Sequence, residues 1–382
     1  MAELDLGELA LSVGDRVVVA MSGGVDSAVT AALLKEAGCD VVGITLQLYD
    51  HGQATGRKGA CCAGQDIQDA RNVADAIGIP HYVLDFEARF KAAVIDDFAL
   101  TYAAGRTPIP CIRCNQRIKF RDLLEIARDL GAVALATGHY ARRIGGKAGA
   151  ELWRGQDARK DQSYFLFATT QAQLDFVRFP LGGQDKVTTR AVAERLALPV
   201  AAKAESQDIC FVPTGHYSGI VGRLAPRAMR KGAILHVDGR ELGQHAGIGR
   251  FTVGQRRGLG VADGEPLYVV GLDAERAIVR VGPRAAGLTR HMTVSDCNWL
   301  GRPTAGARLA VKHRYNEPAV MGLIEALDGD GGVALVLEQP EAGVAPGQAA
   351  VLYAGDRLLG GGWIERTSKL EAEEVLEVAL GA

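Results

Sequence analysis

The sequence predicts a doubly wound parallel α/β domain, followed by a small central domain and a C-terminal β-barrel. Three observations carry this reading. A β-branched run, Val17-Val18-Val19, ends in a Ser-Gly-Gly turn that opens at once onto an apolar helical pattern from Ala28 to Lys35. Apolar strands and amphipathic helices then alternate to about residue 140, the rhythm of a parallel sheet covered by helices on both faces. From about residue 211 the chain turns glycine-rich with short β-type runs, and from about 286 those runs are separated by Gly, Pro and Asp turns, as in a small all-β barrel. The expected boundaries are 1–210, 211–285 and 286–382.

In chain order, the first domain should contain strands over 16–20, 40–48, 81–85 and 132–137, and helices over 27–37, 65–77, 92–104 and 119–130. Ligands of such sheets sit beyond the carboxyl ends of the strands, so Ser22, Leu46, Gly138 and His139 should meet in one crevice, with Leu46 as a wall for an adenine ring. A helix over 188–198 and a polar stretch, Lys203 to Asp208, close the domain. β-runs follow at 233–237, 267–270 and 277–281, and then at 308–311, 319–326, 333–337 and 349–353. The tail, 369–380, reads as a short acidic amphipathic helix, and no internal repeat or low-complexity segment is evident.

At 382 residues, 48% hydrophobic and 23% charged, the chain has the balance of a soluble globular protein of two or three domains. No apolar run approaches the ~20 residues that span a bilayer, and the first residues lack a leader pattern, so a cytoplasmic protein without a membrane partner is expected. Seven cysteines then read as reduced thiols, ligands or catalytic groups rather than as a disulfide framework. The formal charge of −2 argues against coating nucleic acid by bulk electrostatics. An RNA site built from clustered basic residues stays open.

Ala20-Met21-Ser22-Gly23-Gly24-Val25-Asp26-Ser27 has the makings of a phosphate cradle. A helix N-terminus offers unpaired N–H groups and a partial positive charge, and two glycines let the backbone close around an anion. No lysine follows as in a Walker loop, so Ser22, Ser27 and backbone amides would hold a pyrophosphate, which suits cleavage between the α and β phosphates of ATP. The loop resembles the PP-loop of the ATP pyrophosphatase superfamily, adenine nucleotide alpha hydrolase-like in fold, whose members adenylate an oxygen and then displace AMP.

Pro108-Ile109-Pro110-Cys111-Ile112-Arg113-Cys114 reads as a stiff loop that presents two thiols among Arg113, Arg117, Lys119 and Arg121. Such a field should lower a thiol's pKa and favour the thiolate. Alone, the pair is compatible with a nucleophilic or persulfide role, an iron–sulfur cluster or a structural site. A zinc site would need a second pair, which Cys61-Cys62 could supply only through space.

In order, the loop, the 105–115 segment, Ile118-Lys119-Phe120, Ala136-Thr137-Gly138-His139-Tyr140, Lys160-Asp161-Gln162-Ser163, Ser206-Gln207-Asp208-Ile209-Cys210-Phe211, Gly254-Gln255-Arg256-Arg257-Gly258 and Pro346-Gly347-Gln348 resemble the bacterial tRNA-specific 2-thiouridylase family over residues 16 to about 364. The resemblance implies ATP on Ala20 to Ser27 with Leu46 and Gly138, and Mg²⁺ accompanying the nucleotide without a protein cage. It implies adenylation of the C2 oxygen of the wobble uridine in tRNAs for Lys, Glu and Gln, then sulfur transfer from a persulfide on Cys210. Cys114 would be the nucleophile, forming a transient disulfide with Cys210. Ile109, Pro110, Cys111, His139, Lys160, Asp161, Gln162, Arg314, Tyr315 and Gln348 correspond to tRNA contacts, and Arg250, Arg256 and Arg257 would add backbone charge. Sulfur would come from a cysteine desulfurase or a sulfur-carrier protein.

One departure stands out: many members carry Asp where this chain has Cys111. Three thiols, Cys111, Cys114 and Cys210, could instead hold a [4Fe–4S] cluster, the alternative route to the same thiolation. Cys39, Cys61, Cys62 and Cys297 read as packing or unassigned thiols. Nitrogen transfer to an adenylated substrate is disfavoured by the lack of a glutaminase segment, and a purely RNA-binding module by the ATP loop.

Overall fold

The computed structural model describes residues 4–49, 62–205, 209–212, 217–328 and 331–370. The chain divides into two compact units, one made of Met1–Val94, Cys111–Gly215 and Asp356–Leu358, the other of Ile95–Pro110, His216–Gly355 and Leu359–Ala382.

In the first unit, β1 (Arg16–Ala20), β2 (Asp40–Gln47), β3 (His81–Asp85), β4 (Ala134–Ala136) and β7 (Val177–Arg178) form one sheet in the order β3-β2-β1-β4-β7. Every pairing in it is parallel. The order reverses at β1, which lies between β2 and β4, and that switch opens a crevice beyond the carboxyl ends of β1 and β4. Val17, Val18 and Val19 are fully buried, as expected of a central strand covered on both faces. The helix that follows β1, α1 (Val25–Glu36), buries nearly every side chain from Val25 to Leu34. Each buried Val or Leu contributes about 1.5–3 kcal/mol, so the turn between β1 and α1 is held between two well-buried elements. By contrast β3 is an edge strand, with Tyr82 exposed. A hairpin of β5 (Ala141–Gly146) and β6 (Gly149–Arg154) follows β4.

The expected helices over 92–104 and 119–130 each contain a wider turn, because Lys91–Ile95 and Asn115–Leu123 are π-helical. Such turns are rare and change which side chains share a face.

In the second unit, β8 (Gly232–His236), β9 (Glu241–His245), β10 (Tyr268–Asp273) and β11 (Ile278–Gly282) make a four-stranded sheet in the order β10-β11-β8-β9. β12 (Leu288–Trp299), β13 (Arg308–Lys312), β14 (Val320–Leu327), β15 (Val333–Ala342), β16 (Ala349–Ala354) and β17 (Arg357–Lys369) run β12-β15-β14-β13-β16-β17, and pairing of β12 with β17 closes the barrel. Closure removes free strand edges. Lys369 ends β17 and is not the start of a helix; residues 371–380 of the expected tail helix lie outside the described residues. Among the described residues no helix is long and apolar enough to cross a membrane.

Candidate active site

The crevice at the switch point is built around the turn from β1 to α1. Gly23 has a φ of +73°, and a Cβ placed there would lie 2.1 Å from the Asp66 carbonyl oxygen, so only glycine fits. Gly24 caps α1 with extended backbone, and a Cβ there would approach nothing closer than Ser22 Oγ at 3.5 Å. Ser27 Oγ accepts from the Ser22 amide at 3.1 Å and donates to the Gly24 carbonyl at 3.1 Å, closing the turn. Met21 is tied to β2 by its amide to the Ile44 carbonyl and by Thr45 Oγ1, which donates to its carbonyl at 2.8 Å. Gly138, just past β4, packs so closely that a Cβ would sit 2.8 Å from the Asp26 carbonyl carbon. Leu46 is half-buried at the carboxyl end of β2. The glycine-built turn, the helix N-terminus and the open space over Gly24 fit a nucleotide phosphate chain.

Two lysines from distant segments reach this turn, and neither appeared among the expected site residues. Lys186 Nζ donates to Asp26 Oδ1 at 2.6 Å, and Tyr140 Oη donates to the same oxygen at 2.9 Å. Lys203 Nζ donates to the Gly23 carbonyl at 2.9 Å and pairs with Asp66 at 2.7 Å and Asp69 at 2.5 Å. No local motif marks them; only the fold brings cations to a loop that lacks its own.

Cys111 and Cys114 sit on the short helix Pro110–Cys114 rather than on an extended loop. Pro110 begins it, a position where its missing N–H costs nothing, and the i, i+3 spacing puts both thiols on one face. Cys111 and Cys210 are exposed and Cys114 is buried. The three thiols are close enough that Cys111 feels Cys114, and Cys210 feels both. Although Cys111 and Cys210 keep accessible surface, the protein around all three thiols desolvates them and pushes them upward, Cys210 to about 12, and Lys119 is the cation that opposes it at each. The expected lowering of these pKa values is therefore overturned. Arg113 donates to Gln116, Arg117 to the Ala93 carbonyl and Arg121 to Asp122, leaving desolvation to dominate. On an ideal α-helix, Lys119 would lie about 140° around from Cys114. The π-helical turn that begins at Asn115 brings it back, and its Nζ donates to Asn115 Oδ1 at 3.1 Å.

His139, half-buried, packs its imidazole against Phe120 and Phe179 and pairs through Nδ1 with Thr137 Oγ1 at 2.8 Å. Burial and the nearby Lys119 hold it neutral, well below the usual histidine range. Adjacent residues thus bear on both halves of the site: Gly138 packs against the turn, and His139 feels the charge of Lys119. Among the described residues no group of three His, Cys, Asp or Glu side chains is placed to hold a metal ion, so the cluster alternative on Cys111, Cys114 and Cys210 gains no support.

The other expected contacts are placed unevenly. Lys160 pairs with Glu205 at 2.6 Å. Asp161 is buried and accepts from the Gly155 and Ser163 amides and the Ser163 hydroxyl, a turn-forming role. Gln162 Oε1 accepts from the Tyr140 amide at 3.0 Å. In the second unit, Ile109 and Pro110 are buried, and Arg314 donates to the Val253 carbonyl at 2.7 Å. The Lys312 ammonium lies over the Tyr315 ring. Gln348 is half-buried beside Gly347, whose φ of +89° lets the turn approach Thr107. Arg250, Arg256 and Arg257 are exposed. Ser206, Gln207, Asp208 and Cys61 lie outside the described residues. Cys39 is buried and Cys297 half-buried, each thiol raised by burial.

Three family models match in succession between residues 15 and 364. A "tRNA methyl transferase HUP domain" covers residues 15–214, a "tRNA methyl transferase PRC-barrel domain" 223–283 and an "Aminomethyltransferase beta-barrel domain" 289–364. The tRNA-specific 2-thiouridylase MnmA of Rhodospirillum centenum is 61% identical over 376 residues, covering 96% of each chain. The proteins of the same name from Parvibaculum lavamentivorans and Caulobacter vibrioides are 61% and 56% identical, covering 92% and 93% of this chain and 91% and 96% of theirs. The chain belongs to the tRNA-specific 2-thiouridylase family.

Proposed function

We propose that the protein is an ATP-dependent tRNA-uridine 2-sulfurtransferase that replaces the C2 oxygen of a wobble uridine with sulfur, acting on tRNAs for Lys, Glu and Gln. The observation that carries this is the pairing of two chemistries in one unit: a phosphate cradle at Ser22 to Ser27, with Gly138 packed against it, and the thiols of Cys111, Cys114 and Cys210, each of which feels Lys119, as His139 does.

The uridine O2 attacks the α-phosphorus of ATP, and pyrophosphate leaves. The turn at Gly23 and Gly24 holds the phosphates, whose charge Mg²⁺ would neutralise when bound with the nucleotide. A carbonyl oxygen is a poor leaving group, and AMP is a good one. The terminal sulfur of a Cys210 persulfide then attacks C2, and AMP departs with the original oxygen. The Cys114 thiolate attacks Cys210 Sγ, the S–S bond breaks, the outer sulfur stays on C2 as the thiocarbonyl, and a Cys114–Cys210 disulfide forms. An external thiol reductant and a desulfurase or sulfur carrier restore the persulfide. Lys119 supports this step because it is the cation that favours ionisation of both thiols. A buried, mostly protonated Cys114 guards against discharging the persulfide before tRNA is bound.

Exposed Arg250, Arg256 and Arg257 suit phosphate contacts on the anticodon stem. Mass spectrometry of wobble uridine from cells with and without the gene tests the proposal. Loss of 2-thiouridine in its absence is expected, and unchanged levels would overturn it.

A further inference from the structure

One ring nitrogen of His139 is taken and the other is free. Nδ1 meets Thr137 Oγ1 at 2.8 Å, and the ring packs edge-on against Phe120 and Phe179, with centroids 6.0 and 6.2 Å away. Among the described residues Nε2 has no hydrogen-bond partner, although it is not sealed from solvent.

The proton between Thr137 and His139 lies on the hydroxyl. Thr137 sits just past β4, 3% exposed, and its amide donates to the Arg178 carbonyl. A buried hydroxyl needs an acceptor for its proton, and Nδ1 is the one partner of Oγ1 among the described residues. The hydroxyl therefore donates and Nδ1 accepts. Desolvation by the surrounding protein and the charge of Lys119 both oppose protonation of the ring. A neutral imidazole whose Nδ1 accepts must carry its single N–H on Nε2.

That tautomer decides what the free nitrogen reads. Nε2–H takes a carbonyl oxygen, whereas the other tautomer would offer a lone pair and take an amino group. In the proposed reaction the O2 oxygen of the uracil leaves with AMP, so O4 is the acceptor that lasts through both steps. Cytosine carries an amino group at that position. A neutral donor also suits a site with thiols, because it polarises an oxygen without passing a proton to a persulfide or thiolate, as an imidazolium would.

We infer that Thr137 is a positioning residue that fixes His139 as the Nε2–H tautomer, and that this N–H donates to O4 of the target uracil and so rejects cytosine at the wobble position. For the identity of the base this rests on the proposed function, whereas the tautomer is a property of the free protein.

Two measurements test it. Imidazole ¹⁵N resonances of the full chain labelled at histidine, assigned by comparison with His139→Ala, read the tautomer without tRNA. The wild type should show a protonated Nε2 and an unprotonated Nδ1, Thr137→Val a mixture of tautomers, and Thr137→Ser the wild-type pattern. The second measurement is kcat/KM for thiolation of transcripts that differ only in uridine or cytidine at the wobble position. The preference for uridine should fall about tenfold in Thr137→Val and return in Thr137→Ser. A proton on Nδ1 in the wild type would overturn the inference, as would a Thr137→Val variant that keeps the wild-type preference. A wild type that makes no 2-thiouridine would strike the proposed function instead, and the resonances would still decide the tautomer.

Discussion

Adjacent glycines in the turn are predicted to fail differently. In Gly23→Ala, the new methyl must sit at a φ of +73°, which costs about 1–2 kcal/mol, and 2.1 Å from the Asp66 carbonyl oxygen. Backbone opposes backbone there, so the overlap is relieved only by moving α1 or the helix Cys62–Ile77, at a further ~1–3 kcal/mol. The movement also pulls on Lys203, which joins the Gly23 carbonyl to Asp66 and Asp69. The total, about 2–5 kcal/mol, corresponds to a fall in Tm of roughly 5–15 °C for a unit of this size. In Gly24→Ala, φ is −93° and the nearest atom is 3.5 Å away, so stability should hold while the methyl intrudes on the space assigned to phosphate. Differential scanning calorimetry and isothermal titration with ATP read the two effects. Gly23→Ala should lose both stability and affinity, and Gly24→Ala affinity alone. A Gly23→Ala protein as stable as wild type, or equal destabilisation by both changes, would refute the geometry of the cradle.

Cys114→Ser and Cys210→Ser should each abolish 2-thiouridine formation while ATP–pyrophosphate exchange in the presence of tRNA survives, and Cys111→Ser should retain transfer; radiolabelled exchange and nucleoside mass spectrometry separate these outcomes. Because burial raises the Cys114 and Cys210 thiols, Cys210 to about 12, thiolate and hence alkylation should climb about tenfold per pH unit from pH 7 to 9 without a plateau. The same shift means that the folded state favours the protonated thiols, so their contribution to stability is present at neutral pH and is lost as pH rises through the alkaline range. Lys119→Met removes the opposing cation and should slow Cys114 alkylation at pH 8, measured by rates at a single peptide. Tyr140→Phe deletes a buried donor to Asp26 and Thr189 and should cost about 1.5–3 kcal/mol in urea unfolding.

The parallel sheet was legible because its strands are short apolar runs with turn signals on both sides, and strands 16–20 and 81–85 fall where the pattern places them. β12 and β17 were not, for opposite reasons. β12 is mostly polar, with Thr289, Met292 and Val294 its buried side chains. β17 carries Gly360, Gly361 and Gly362, residues that read as a turn; a Cβ at each would lie within 2.4 Å of a carbonyl oxygen of a neighbouring strand. Tight closure of a small barrel, rather than strand propensity, selects them. At the site, the loop and the cysteines declared themselves by local motif. Lys119 required the π-helical turn to face the thiols, and Lys186, Lys203 and Glu205 act through pairs as much as 180 residues apart. Lys203 and Glu205, in a polar stretch, look like linker residues until their ion pairs are known. Asp161 shows the converse, since its carboxylate is taken up by backbone amides.

The central claim is that activation and sulfur transfer meet at one uridine carbon, and the fate of its oxygen tests this directly. tRNA carrying ¹⁸O at C2 of the wobble uridine, incubated with the protein, ATP and a persulfide donor, should yield AMP with one ¹⁸O in its phosphate for each 2-thiouridine formed. Thiouridine formed alongside unlabelled AMP would contradict the account.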